Sequence, residues 1–382
     1  MNRRKFLAKM MRYGLSAGAL SALPAERLFA QEFRPSLTIP IIDAHAHLPS
    51  ESSLEGHKFS AIRNAKLCAS SFAVMGDDFS IPGTTQEQSA YARALAGIAQ
   101  VRQWETEKRI RIVRRPSDIP LQPPAIGPIP VILSIEAGDA IGTDLGRLNE
   151  FYRLGVRMIT LVHGTYQRSG DNQIGNDMRQ HPYPDPPPNE GGPDQGLPDQ
   201  GLTDFGHEVV ARMNKLGMII DVAHASAQTV FDIAACTRAP VIDSHTSPFP
   251  PSVTSRSGSR LRLYEEMAAI VDTGGVVCTW PYAFDGAAFD RLTFEDWVEE
   301  IKEFKSHFGI KHIGIGTDGG GGLPMRVEGW ENTSSVRLLQ DAMRSGGLTT
   351  LETSAFMSLN FLRVFTRCHA VGQVLRYFNA QA

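Results

Sequence analysis

Cysteine is scarce: 4 residues in 382, namely Cys68, Cys236, Cys278 and Cys368, far apart and with no Cys-x-x-Cys pair. That excludes a cysteine-based zinc site and favours buried apolar filler over a disulfide framework. Long basic runs are also missing and the formal net charge is −3, so nucleic acid is not expected as a partner. No short-period internal repeat is present, and nothing marks a second domain. The C-terminal Phe378-Asn379-Ala380-Gln381-Ala382 offers no hydrophobic tail. What remains is ordinary for a globular protein, with 42 % apolar and 21 % charged residues.

The first 30 residues stand apart. Arg3-Arg4 is followed by a weakly apolar stretch from Tyr13 to Leu23 and by Leu28-Phe29-Ala30 before Gln31. Paired arginines, a short apolar region and a small residue at the cleavage point read as a twin-arginine export signal. The apolar run is too short to span a bilayer, so the mature chain is expected to lack a transmembrane anchor and to be periplasmic or extracellular.

From residue 37 to 382 one rhythm repeats, apolar runs alternating with amphipathic stretches. The runs are Ile39–Ile42, Val131–Ile135, Arg157–Val162, Met218–Val222, Pro240–Ile242, Gly275–Thr279 and His312–Ile315, with another strand expected inside Lys66–Val74. Helices are expected over Leu145–Leu154, Asp204–Leu216, Thr229–Ala235, Tyr264–Val271 and Phe294–Phe308. Continuous apolar strands alternating with helices point to a parallel sheet covered on both faces. A doubly wound sheet competes with a barrel. The barrel is preferred because polar residues end many successive strands, and only a closed sheet brings those ends to one centre. The expected fold is therefore a single α/β catalytic domain, a (β/α)8 TIM barrel. Residues 166–200, crowded with Pro, Gly, Asp and Asn, read as an irregular loop over the active face, either a lid or a loose insertion.

Chemistry concentrates at the strand ends. In Ile41-Ile42-Asp43-Ala44-His45-Ala46-His47, residues two apart face the same side, so His45 and His47 can share a metal ion. Val131–Ile135 delivers Glu136, Met218–Val222 leads to His224, Pro240–Ile242 to His245, and His312–Ile315 to Asp318. With His163, five of the 11 histidines stand at or just past apolar strand ends. A polar group there costs several kcal/mol, about 2–7, unless something compensates it. Any one of them alone is better read as a hydrogen-bonded core residue. Their accumulation on one face favours metal ligation.

The set resembles the membrane dipeptidase (renal dipeptidase) family of metallopeptidases, among the amidohydrolase-like barrels. The matching stretches begin with Ile42-Asp43-Ala44-His45, Ser134-Ile135-Glu136-Ala137-Gly138 and Phe151-Tyr152-Arg153-Leu154-Gly155. They continue through Thr160-Leu161-Val162-His163, Gly201-Leu202-Thr203-Asp204 and Asn214-Lys215-Leu216-Gly217, and close with Ser244-His245-Thr246-Ser247 and Gly314-Ile315-Gly316-Thr317-Asp318. The resemblance implies two Zn2+ ions bridged by Glu136, with His45 and His47 on one and His224 and His245 on the other. It implies that His163 meets the substrate carbonyl or tetrahedral intermediate and that Asp318 moves protons. A hydroxide between the ions would then attack the amide of a dipeptide. An arginine after His245, Arg256 by direct spacing or Arg260 by counting back from Gly274-Gly275, would bind the substrate carboxylate.

One departure is plain: the family's first motif usually has Asp where this chain has His47. By formal count the site becomes about one unit more positive, which bears on substrate range more than on reaction class. Two rival readings stand beside the dipeptidase. A lactonase or phosphotriesterase-like hydrolase also uses His-x-His, but commonly bridges its metals through a modified lysine, and no strand-end lysine is visible here. An inactive periplasmic metal-binding protein would have no use for Asp318. The sequence leaves the oligomeric state open between monomer and homodimer.

Overall fold

The computed structural model describes residues 39–77, 79–80, 87–124, 126–164, 170–178, 199–248, 261–284, 290–323 and 325–379. The export-signal segment, most of the 166–200 loop, and both Arg256 and Arg260 lie outside the described residues.

Eight parallel strands follow one another around the sheet in sequence order. They are β1 (Ile42–His47), β2 (Ala69–Met75), β3 (Ile129–Glu136), β4 (Val156–Thr160), β5 (Ile219–Asp221), β6 (Val241–Pro248), β7 (Val276–Thr279) and β8 (Ile313–Ile315). Each pairs with its neighbour in parallel register. The seam between β8 and β1 is narrow: a bridge joins Ala46 to Gly319, with His47 N donating to Gly319 O at 2.8 Å and Asp318 N to His45 O at 2.9 Å. This is the (β/α)8 barrel expected from the alternation. A short strand, Ile110–Ile112, adds to the start of β3, and Leu261–Arg262 pairs with the end of β6.

Helices fill the crossovers: α1 (Phe59–Ala65), α2 (Ala90–Thr106), α3 (Gly146–Leu154), α4 (Asp204–Leu216), α5 (Ala227–Cys236), α6 (Tyr264–Asp272) and α7 (Phe294–Phe308). After β8 come α8 (Val336–Ser345), α9 (Thr350–Ser354), a π turn over Ala355–Leu359, and α10 (Asn360–Asn379). Their limits follow from capping chemistry. Thr203, Ser226 and Thr293 accept a backbone N–H of the first turn of α4, α5 and α7. Gly155 and Gly217, at φ 114° and 79°, end α3 and α4 in the left-handed region that glycine enters without steric cost.

The apolar core lies between sheet and helices, where Phe72, Phe151, Trp297, Phe304, Ile135 and Ile220 are all buried. All four cysteines are free thiols, and Cys68, Cys278 and Cys368 are buried. β1 carries both His45 and His47, as the two-residue alternation requires, whereas β6 continues past Ile242 to Pro248, so His245 lies inside a strand rather than beyond it. Strand pairing is made by the backbone, so it continues through polar residues wherever the barrel supplies a neighbour.

Candidate active site

Glu136, the last residue of β3, sits at the centre of the barrel mouth. Its Oε1 lies 3.3 Å from His224 Nε2, 3.6 Å from His45 Nε2, 3.7 Å from His245 Nε2 and 3.8 Å from His163 Nε2. Its Oε2 lies 3.4 Å from His47 Nε2, and Asp318 Oδ1 approaches His47 and His45 Nε2 at 3.2 and 3.8 Å. Seven of the nine residues singled out in the sequence thus meet at one point; the other two, Arg256 and Arg260, fall outside the described residues. His45, Glu136, His224 and His245 are fully buried, while His47, His163 and Asp318 form the slightly accessible rim.

Several ring nitrogens are aimed by a partner on the far side. His245 Nδ1 meets Ser244 Oγ at 2.8 Å, and that hydroxyl donates to Asp221 Oδ2 at 2.6 Å. His224 Nδ1 donates to the carbonyl of Gly164 at 3.1 Å, and His163 Nδ1 faces Asp77 Oδ2 at 3.2 Å. Ser244 Oγ also lies 3.4 Å from His45 Nδ1. Outer contacts of this kind fix tautomer and ring plane, leaving Nε2 to face the centre.

The backbone is bent to the same purpose. His224 and Asp318 have φ of 68° and 47°, and Ala137, next to Glu136, has φ of 88°. Non-glycine residues there carry about 1–3 kcal/mol of strain each and persist only where the surroundings hold them. His224 is held on both flanks. Arg262, buried between Asp243 and Glu266, donates to the carbonyls of Val222 and Ala225 at 2.5 Å, and Met178 N donates to His224 O at 2.8 Å. Beside Asp318, a Cβ on Gly321 would fall 2.1 Å from Asp318 Oδ1, so the glycine run after Asp318 makes room for its carboxylate.

Burial works against charge in this cluster, and the charges prevail by pairing. Desolvation alone would lower the pKa of His45, but Glu136, then Asp318 and Asp221, outweigh it and bring it to about 9. Desolvation would raise Glu136, yet His163, His45 and His224 hold it well below the usual carboxylate range. Beneath the cluster, burial lifts Asp43 to about 6 against the opposing bonds from Thr317 and His45. Burial, then the charge of Asp243, raises Asp221.

A divalent cation fits these residues. His45 Nε2 and Glu136 Oε2 are buried without a hydrogen bond, an expensive state for polar atoms in a well-packed centre. Three sets have ligand atoms within 4.8 Å of one another: His45, Glu136 and His245; His45, His47 and Asp318; Glu136, His163 and His224. Imidazole with carboxylate is the donor chemistry of a borderline divalent metal.

The residues not singled out from sequence are those behind the cluster: Asp43, Asp77, Asp221, Ser244, Thr317 and Arg262. For three regions a signal exists. Ile42-Asp43, Ile220-Asp221 and Ile242-Asp243 each carry an Asp at an apolar run, two or three residues before a site histidine. Residues 170–178 form no helix or strand and are packed down: Ile174 is buried, Asp177 bridges Ala225, and Ser226 N donates to Asn176 O.

The chain is similar to known proteins in both sequence and fold. Residues 36–377 match the family model described as membrane dipeptidase (peptidase family M19). An uncharacterised dipeptidase of Schizosaccharomyces pombe is 31 % identical over 248 residues, covering 64 % of this chain and 54 % of that protein. Dipeptidase tcpJ of Claviceps purpurea is 27 % identical over 235 residues, covering 61 % and 49 %. The chain thus spans about half the length of these curated relatives. The probable dipeptidase PvdM of Pseudomonas aeruginosa superposes with a TM-score of 0.70 at 19 % identity, over 88 % of this chain and 96 % of that one. A metallopeptidase of Rhodobacter sphaeroides, solved with a phosphinate mimic of the dipeptide L-Ala-D-Ala, gives 0.67 at 20 % identity, over 87 % and 99 %. At these identities the solved structures establish a shared fold. The family match, spanning most of the chain, establishes more: this protein belongs to the membrane dipeptidase family, peptidase family M19.

Proposed function

We propose that this protein is a zinc-dependent dipeptidase, hydrolysing the amide bond of small dipeptides. The observation that carries the reading is the convergence of His45, His47, His224, His245 and Asp318 on the buried Glu136. His45 and His47 would hold one ion and His224 and His245 the other, with Glu136 shared. Two bound cations supply a water of lowered pKa and a Lewis acid for a carbonyl oxygen. The protein's own groups do the rest. Asp318, at the rim and hydrogen-bonded through its backbone to β1, takes a proton from the attacking water and passes it to the leaving amine. His163, with Nε2 turned to the centre, donates to the oxyanion that develops on the carbonyl. Arg256, or Arg260, anchors the free carboxylate of the substrate and so favours short peptides.

The test is metal analysis of purified protein coupled to turnover of a dipeptide library that includes L-Ala-D-Ala, with lactones and phosphotriesters run beside it. Zinc-dependent dipeptide cleavage, lost on chelation, is expected. Preference for a lactone or phosphotriester would move the protein to another branch of binuclear hydrolases. Stoichiometric metal with no hydrolysis of any amide or ester would make it a binding protein. We also propose that residues 1–30 direct export by the twin-arginine route. Replacing Arg3 and Arg4 by Lys should trap a reporter fusion inside the cell, and unchanged export would refute the assignment.

A further inference from the structure

Behind His163 stand Asp77 and Arg93, an ion pair that the chemistry above does not use. Asp77 follows β2, one residue past Gly76, and its Oδ2 stands 3.2 Å from His163 Nδ1. Both side chains are about nine-tenths buried, at 10 % and 11 % relative exposure. The other carboxylate oxygen is taken by Arg93 Nη1 of α2 at 2.5 Å. The backbone holding Asp77 has little freedom. Gly76 N donates to Glu136 O at 2.6 Å, and a Cβ at Gly76 would lie 2.3 Å from Ala137 O and 2.6 Å from an Ile135 methyl. The turn that presents Asp77 is therefore pressed directly against the strand end that presents Glu136. On the other side of the ring, His163 Nε2 lies 3.8 Å from Glu136 Oε1, and the imidazole meets His224 edge-on at 4.5 Å.

From this geometry we propose that Asp77 is a positioning residue for the reaction: its carboxylate accepts from Nδ1–H of a doubly protonated His163 ring, so that Nε2–H faces the scissile carbonyl as a donor, and Arg93 fixes Asp77. The proposal rests on the dipeptidase reading of the same site. His163 stands three residues past the end of β4, outside any strand or helix, so no backbone ladder guides the ring. An imidazole free to turn about its χ angles offers the right atom only part of the time, and small misplacements at a reacting centre cost large factors in rate. Because Asp77 touches neither substrate nor the central carboxylate, its loss should lower kcat while leaving KM and metal content nearly unchanged.

The experiment uses the zinc-loaded full chain and a dipeptide that the wild type cleaves. Asp77→Ala should lower kcat by about 10- to 100-fold with KM within about twofold. Asp77→Asn, which keeps a carbonyl acceptor for Nδ1–H, should recover most of that loss. In a His163→Ala background the further change Asp77→Ala should do almost nothing, because the residue it orients is gone. Wild-type kcat in Asp77→Ala overturns the proposal. So does a loss that Asn does not recover, or one that adds in full to the loss from His163→Ala. Failure of the wild type to cleave any dipeptide sinks the dipeptidase reading and the proposal with it. Wild-type turnover with an indifferent Asp77→Ala sinks the proposal alone.

Discussion

Ser244 shows how a residue outside the candidate ligand set can aim two of its members. Its hydroxyl donates to Asp221 and faces Nδ1 of both His245 and His45, so one side chain sets two imidazoles from behind. Ser244→Ala removes that hydroxyl and little volume. It should weaken zinc binding about 10- to 100-fold in a chelator competition while the fold survives, and unchanged affinity would show the rings to be held by other contacts. Asp318→Asn separates the other role: metal content should stay, and kcat should drop by about two to four orders of magnitude. A near-native rate would remove Asp318 from proton transfer. These roles differ in how well the sequence displays them. The ligand candidates were legible because each polar side chain interrupts or ends a strongly apolar run, and burial of a polar group there demands a partner. Ser244 and Asp77 were not. Ser244 acts on His45 across 199 positions and Asp77 on His163 across 86, and nothing local in either stretch announces the distant ring.

Helices repeat that contrast at the next scale. Those expected at Asp204–Leu216 and Phe294–Phe308 appear with the same limits, because Thr203, Thr293 and Gly217 mark their ends chemically. Helix α2 went unread although Ala90, Ala94, Ile98, Val101 and Trp104 form one buried stripe, since alanines carry little hydrophobic signal. Helix α9 is only 5 residues long and depends on its cap. Glu352 accepts from Thr349 N and Oγ1 at 2.9 Å and pairs with Lys305 of α7, so it ties two helices together. The bond from Lys305, then that from Thr349 N, pull its carboxyl from 4.5 to about 2. A pKa lower in the folded than in the unfolded state means stabilisation that is full above 4.5 and lost as pH falls through about 2. Urea melts should therefore show Glu352→Gln less stable than wild type at about pH 6, with the gap narrowing by about pH 3.5. A gap independent of pH would mean that the charge on Glu352 contributes nothing.

At the scale of the whole barrel, the side-chain cluster around Glu136 and the closure of the sheet are the same place. Every other pair of neighbouring strands is joined by a ladder, but β8 meets β1 through the Ala46–Gly319 bridge and the flanking bonds of His45 and His47. Asp43 reinforces that seam from within β1, accepting from Thr317 N at 2.8 Å and Thr317 Oγ1 at 2.7 Å. His45 and His47 stand on one side of it and Asp318 on the other, while Glu136, His224 and His245 come from or just after β3, β5 and β6. An ion held by His45 and His47 with Glu136 would tie β1, one side of that seam, to β3, which is not its neighbour. Binding to the folded state alone adds RT ln(1 + [L]/Kd), about 2.7 kcal/mol when free zinc is a hundredfold above Kd. For a domain of this size that corresponds to a rise in Tm of a few degrees, about 3–6 °C. Thermal melts of the chelated protein should recover that rise as zinc is restored, and the increment should grow with the logarithm of zinc concentration. In His47→Ala the increment should shrink, because the ion would no longer join the seam strand through its rim ligand. If zinc binds stoichiometrically and Tm does not move, the unfolded chain binds it as tightly as the folded one, so the preformed cluster gives no advantage and the strained backbone at His224 and Asp318 is held by protein contacts alone.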